Sequence, residues 1–124
     1  MEAPARVAID LGAESCRVSL LRWNEGEPGS ARPGTGSRDA RPSVEVIHRI
    51  PNGPVHRGDS LYWSLTGILV GLEEGLRKAA AAAPEGIASI GADSWSVDYV
   101  RLAPNGKMLR EPFWAGQSSR IGSA

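Results

Sequence analysis

One long helix-patterned stretch, set among apolar runs too short to be helices, limits what this chain can fold into. From near Ser60, residues Leu61, Leu65, Ile68, Leu69, Leu72 and Leu76 recur at three- and four-residue spacing, which predicts one buried helix face. Glu73, Glu74, Arg77 and Lys78 fall mostly elsewhere on the wheel. The run Ala79 to Ala83 has high helix propensity, and Pro84 marks the stop. Asp59 or Ser60 is the expected N-cap. A helix with one apolar face needs a second layer to cover it. Short runs at residues 6–11, 16–23 and 43–50 read as strands before the helix, and runs at 87–92 and 97–102 as strands after it. Strand pairs, then a helix, then more strands predict an α/β fold in which a mixed sheet carries the helix on one face.

The punctuation agrees with that order. Gly12-Ala13-Glu14-Ser15 is short enough to close a hairpin between the first two strands. Pro51-Asn52-Gly53-Pro54 carries turn chemistry, and Pro104-Asn105-Gly106 reads as a hairpin turn leading into Met108 and Leu109. Residues 25–42, rich in Gly, Pro, Ser and Arg without apolar period, read as a mobile surface loop within a lobe spanning 1–114. Residues 115–124, small and polar, read as a frayed tail.

At 124 residues the chain suffices for one domain, and its 41% hydrophobic content supports a packed core. Fourteen basic and fourteen acidic side chains cancel, which argues against nucleic acid or an acidic membrane surface as partner. No apolar run approaches a membrane span of roughly 18 residues. The N-terminus runs into a strand pattern without a signal-like segment, so the cytoplasm is the expected compartment. Cys16 is the single cysteine, which excludes an internal disulfide framework.

Two segments have the residue types that chemistry needs, and a third candidate, Asn52-Gly53 followed by residues 58–63, reads more simply as a loop and helix cap. In the first, Asp10 at a strand end could hold Mg²⁺ through water, and Gly12 would let the backbone approach a phosphate. The turn N–H groups of Ala13, Glu14, Ser15 and Cys16 could form an anion nest, with Arg17 adding a forked cation. The plainer alternative is a tight hairpin in which Asp10 and Gly12 are turn residues. In the second, Asp93-Ser94-Trp95-Ser96-Val97-Asp98-Tyr99 brings carboxylates and aromatics together, the types that grip sugar hydroxyls and C–H faces. The plainer alternative is a turn, with an Asp capping backbone donors and Trp95 filling the core. His48 and His56 lack companions at metal-ligand spacing. Cys16 reads as a packing residue, since no base is indicated beside it.

Taken in order, these pieces resemble the N-terminal part of the FGGY carbohydrate kinases, and among them the rhamnulose kinases. The pieces are Val7-Ala8-Ile9-Asp10-Leu11-Gly12-Ala13 with Ser15 and Arg17, Ile47-His48-Arg49-Ile50 with Asn52-Gly53, Leu61-Tyr62-Trp63, and residues 89–100. The last of these resembles the rhamnulose kinase signature Asp-Thr-Trp-Gly-Val-Asp-Tyr. The resemblance covers about residues 5–112 and implies a ribonuclease-H-like, actin-type lobe. It implies that Gly12, Ala13, Glu14, Ser15, Cys16 and Arg17 face ATP, that Asp10 lies near Mg²⁺, and that Trp95, Ser96 and Asp98 line a sugar pocket. The implied reaction passes the γ-phosphate of ATP to a sugar hydroxyl. Members are several times longer, and their general base, second phosphate loop and adenosine pocket lie beyond the matched part. A missing C-terminal lobe and no turnover by this chain alone are therefore expected.

Three departures stand out: Ser96 replaces the signature glycine, Glu14 replaces a small residue, and Phe113-Trp114 replaces a Tyr-Arg-Asp-type continuation. They leave a non-catalytic binding module or decayed remnant as the alternative. A two-metal nuclease built on Asp10, Asp93 and Asp98 is a third reading, disfavoured by the neutral charge.

Overall fold

The computed structural model describes residues 3–23 and 42–114. The expected tail at 115–124, and the expected loop at 25–42 apart from Pro42, lie outside the described residues. A four-stranded sheet runs in the order β3-β2-β1-β6, with β1 Ala5–Leu11, β2 Ser15–Trp23, β3 Pro42–Pro51 and β6 Ile87–Ser94. β1, β2 and β3 pair antiparallel, and β6 joins β1 in parallel, so the sheet is mixed as expected. A small second sheet pairs β4 Pro54–Arg57 with β5 Ser60–Trp63. One helix, α1 Leu65–Ala82, lies over β2 and β3.

The expected helix start is corrected by this hairpin. Residues 60–63 are strand rather than helix, so Leu61 belongs to β5 and neither Asp59 nor Ser60 caps α1. Gly58, at φ 62°, closes the turn between β4 and β5, a conformation that costs glycine little. The N-cap is Ser64, whose Oγ accepts from the Gly67 N–H at 3.3 Å. Glu111, distant in sequence, accepts from the N–H groups of Leu65 at 2.8 Å and Thr66 at 3.2 Å, and from the Thr66 hydroxyl at 2.6 Å. A carboxylate there satisfies free helix donors and complements the dipole.

The helix face is also narrower than its leucines suggest. Leu69 is 57% exposed, and the buried stripe is Ile68, Gly75 and Ala79, continued by Ala83. Gly71 and Gly75 bring the helix close to the sheet: a Cβ at Gly75 would meet Val18 at 2.6 Å, and one at Gly71 would meet Ile50 at 2.8 Å. The core beneath consists of Ala5, Val7, Val18, Leu20, Ala79 and Ala83. Arg22 fastens the C-terminal end of the helix, donating to the Ala82 carbonyl and to Glu85 at 2.7 Å each.

After β6 the expected strand at 97–102 does not form. Val97 has φ 74°, which turns the chain out of the sheet, and Leu102 makes only an isolated bridge to Met108. That bridge closes over the expected turn at Pro104-Asn105-Gly106, with Ala103 N–H donating to the Lys107 carbonyl at 2.8 Å. Residues 112–114 then run along β5: Trp63 N–H donates to Pro112 and Trp114 N–H to Leu61.

Candidate functional site

Strand register brings the two chemistry-bearing segments to one edge of the sheet. Because β1 and β6 are parallel neighbours, their C-terminal ends emerge together, with Asp10 opposite Asp93 and Leu11 opposite Ser94. The turn at residues 12–15 and the segment at 95–98 therefore leave adjacent strands on the same side. In open α/β sheets, ligands bind beyond the carboxyl ends of the strands. Pairing continues the row sideways from Asp10 to Arg17 on β2 and Arg49 on β3. Neighbouring residues alternate faces along a strand, and Val18 packs under α1, so this charged row lies on the opposite face.

The turn is tight and braced. Gly12 N–H donates to the Ser15 carbonyl at 3.1 Å, and a Cβ at Gly12 would run into that same oxygen. Gly12 is thus required by the hairpin itself, whatever lies beyond it. Asn52 straps the turn from outside, its Nδ2 donating to the Gly12 carbonyl and its backbone N–H to the Glu14 carbonyl, each at 2.9 Å. Ala13 and Glu14 are exposed, and Ser15 is half-buried. Arg17 pairs with Asp10 at 3.5 Å, with side chains 43% and 56% exposed respectively. The Arg17 Nε is a buried donor with no hydrogen-bond partner among the described residues. Cys16 is buried, and desolvation, helped by the nearby Asp10 charge, pushes its thiol pKa up despite a weak bond to the Gly12 carbonyl. An inert packing role follows.

At the second segment, Trp95 donates its indole N–H to Asp98 Oδ2. The same oxygen accepts from the Trp63 indole at 2.9 Å, and the two indole rings lie 4.6 Å apart, tilted by 37°. Ser96, next to Trp95 in the chain, is exposed. Asp93 bends onto its own neighbour, its Oδ1 accepting from the Ser94 N–H at 2.8 Å. Among the described residues no three His, Cys, Asp or Glu side chains group as a metal site, so Asp10, Asp93 and Asp98 do not form the cluster that a two-metal nuclease needs.

Sequence reasoning placed Asp10, Gly12, Arg17, Trp95 and Asp98 in two separate motifs, and pairing unites them. Asn52 and Trp63 were missed as functional supports. Both lie in pieces that carry the kinase resemblance, but Asn52 was read as turn chemistry and Trp63 as part of a misplaced helix start. Tyr62-Trp63 in a run of four residues closed by Ser64 was the available strand signal.

Known proteins decide the kinship. The chain is 36% identical over 106 residues to a rhamnulokinase of Bacteroides thetaiotaomicron, covering 86% of this chain and 19% of that protein. By sequence, the chain is similar to about a fifth of a rhamnulokinase. A rhamnulokinase of Bacillus subtilis is 33% identical over 104 residues, and one of Yersinia pestis is 33% identical over 118 residues. The chain spans 18% and 21% of those proteins, consistent with an N-terminal fragment of a rhamnulokinase-like kinase. No protein-family model matches the chain. Among the described residues, no helix is long and apolar enough to cross a membrane.

Proposed function

We propose that this chain is the leading part of an ATP-dependent sugar kinase of the rhamnulokinase kind, built on a ribonuclease-H-like lobe at residues 1–114. The observation that carries the reading is the parallel register of β1 and β6, which sets Asp10 beside Asp93 and the 12–15 turn beside the 95–98 segment. In this reading the turn from Gly12 to Cys16 faces the phosphates of ATP, its Gly12 N–H kept by the Ser15 carbonyl, and the half-exposed Arg17 guanidinium adds positive charge. Trp95, Ser96 and Asp98 line the sugar pocket. Asp10 fits a hydrated Mg²⁺, because an exposed carboxylate with a second one in register offers only oxygen donors. The ion, when bound, neutralises phosphate charge during transfer of the γ-phosphoryl group.

The full reaction, L-rhamnulose plus ATP giving L-rhamnulose 1-phosphate plus ADP, needs a proton acceptor and a closing second lobe. We assign both to a C-terminal lobe and the whole enzyme to the cytoplasm, where ATP is at hand. Calorimetric titration of the chain with Mg²⁺-ATP and with L-rhamnulose tests the binding half of the reading. Saturable heat for either ligand, without sugar-dependent ADP release, is the expected result. Heat for neither ligand would favour a decayed remnant, the reading to which Ser96 and Glu14 point.

A further inference from the structure

Trp63 lies outside every motif that drew attention to the sugar-facing segment, yet it touches two of that segment's members. Its side chain is almost fully buried, at 4% exposure. Its indole N–H donates to Asp98 Oδ2 at 2.9 Å, and its ring packs on Trp95 at 4.6 Å. Trp95 donates to that same oxygen. Between the two anchored residues sits Val97, held at φ 74° and 78% exposed. For a β-branched side chain this backbone is strained. Such strain persists only where surrounding contacts over-determine it, and Val97's own exposed side chain supplies few. The contacts present are the two indole donors converging on Asp98, one of them delivered by a different sheet.

We propose that Trp63 is the positioning residue of the 95–98 segment, clamping Asp98 and Trp95 so that the carboxylate turns one oxygen, Oδ1, toward ligand. The clamp saturates Oδ2 with two N–H groups. A polyhydroxylated ligand would then meet a single-oxygen acceptor beside the Trp95 ring. Trp63 is itself held by backbone: its N–H donates to Pro112 at 2.9 Å, and Pro54 is its partner in β4. The segment's geometry is therefore set by the β4-β5 hairpin. This inference rests on the sugar-pocket reading only for the identity of the ligand. The clamp itself stands on the geometry.

The test is nuclear magnetic resonance of the 15N-labelled chain. In the wild-type chain, the Trp63 and Trp95 indole N–H signals are expected to exchange with solvent at least tenfold more slowly than that of a solvent-exposed tryptophan. Trp63→Phe keeps a ring and removes one donor. It should shift the Trp95 indole signal and the backbone amides of residues 96–98, while the amides of β1 and β2 hold their positions. Unprotected indoles in the wild-type chain, or a Trp63→Phe spectrum unchanged at 95–98, would overturn the proposal. The wild-type exchange measurement decides even if the variant fails to fold. L-rhamnulose titrated into both proteins separates the two levels. About tenfold weaker binding by Trp63→Phe supports the clamp acting on ligand, since a hydrogen bond to a charged group is worth that much or more. Equal binding overturns that part. No binding by the wild-type chain counts against the sugar reading and leaves the clamp to the spectra.

Discussion

Gly12 shows how a residue can be required for two reasons at once. Its Cβ position is blocked by the Ser15 carbonyl, so Gly12→Ala should destabilise the chain by about 1–3 kcal/mol even with no ligand present. Urea unfolding of the two proteins would show the shift, and equal midpoints would mean the turn relaxes freely. Asn52→Ala removes the side-chain strap on the Gly12 carbonyl while leaving the backbone bond to the Glu14 carbonyl. A smaller loss, about 1 kcal/mol, is expected by the same measurement. Of the residues proposed for the site, Asp10, Gly12, Arg17, Trp95 and Asp98 drew attention in the sequence because carboxylates, glycine, arginine and tryptophan are types that phosphate and sugar binding use. Trp63 was not, because an aromatic beside a leucine pattern reads as helix until the hairpin is seen.

At the scale of elements, α1 is held at both ends by groups that its own sequence does not contain. Glu111 caps its start and Arg22 its end, with Ser64 the local side-chain N-cap. Ser64→Ala should therefore cost about 1 kcal/mol in thermal or urea unfolding, whereas Ser60→Ala should leave the helix unaffected. Burial raises the Glu111 pKa, but bonds from Thr66 and Leu65, with the Arg57 charge, outweigh this and hold it below the usual carboxylate range. The Arg22 hydrogen bond likewise lowers Glu85. Both carboxylates bind protons more weakly folded than unfolded. Their contribution is therefore complete above the ordinary carboxylate pKa, about 4.3 for Glu, and is lost as pH falls through the folded value. Melting temperature should drop on acidification below about pH 4.5, and less steeply for Glu111→Gln. Parallel slopes for the two proteins would remove Glu111 from the account. The stripe of Gly71, Gly75, Ala79 and Ala83 went unread as a contact face because small residues carry no hydrophobic signal, although close helix–sheet approach depends on them.

For the whole molecule, the sheet is covered unevenly. α1 lies over β2 and β3, while Ile90 on β6 is 56% exposed and Val44 on β3 is 63% exposed. Val70 on the helix is likewise 63% exposed. Apolar surface of this kind favours association. Sedimentation equilibrium should give an average mass above 13.1 kDa that falls on dilution, and a constant 13.1 kDa would show that these faces tolerate water. Local pattern alone determined β1, β2, β3, β6 and the body of α1, together with the turn between β1 and β2. It could do so because strand alternation, helix spacing, Gly and Pro act within a few residues. Tertiary structure alone decided that β6 runs parallel beside β1, that Glu111 caps α1, and that Trp63 and Trp95 share one carboxylate oxygen. Those outcomes join residues 35 to 83 positions apart in some cases and three in others, and they depend on register and close packing. No local propensity encodes such relations, so the candidate residues were readable singly while the site they form was not.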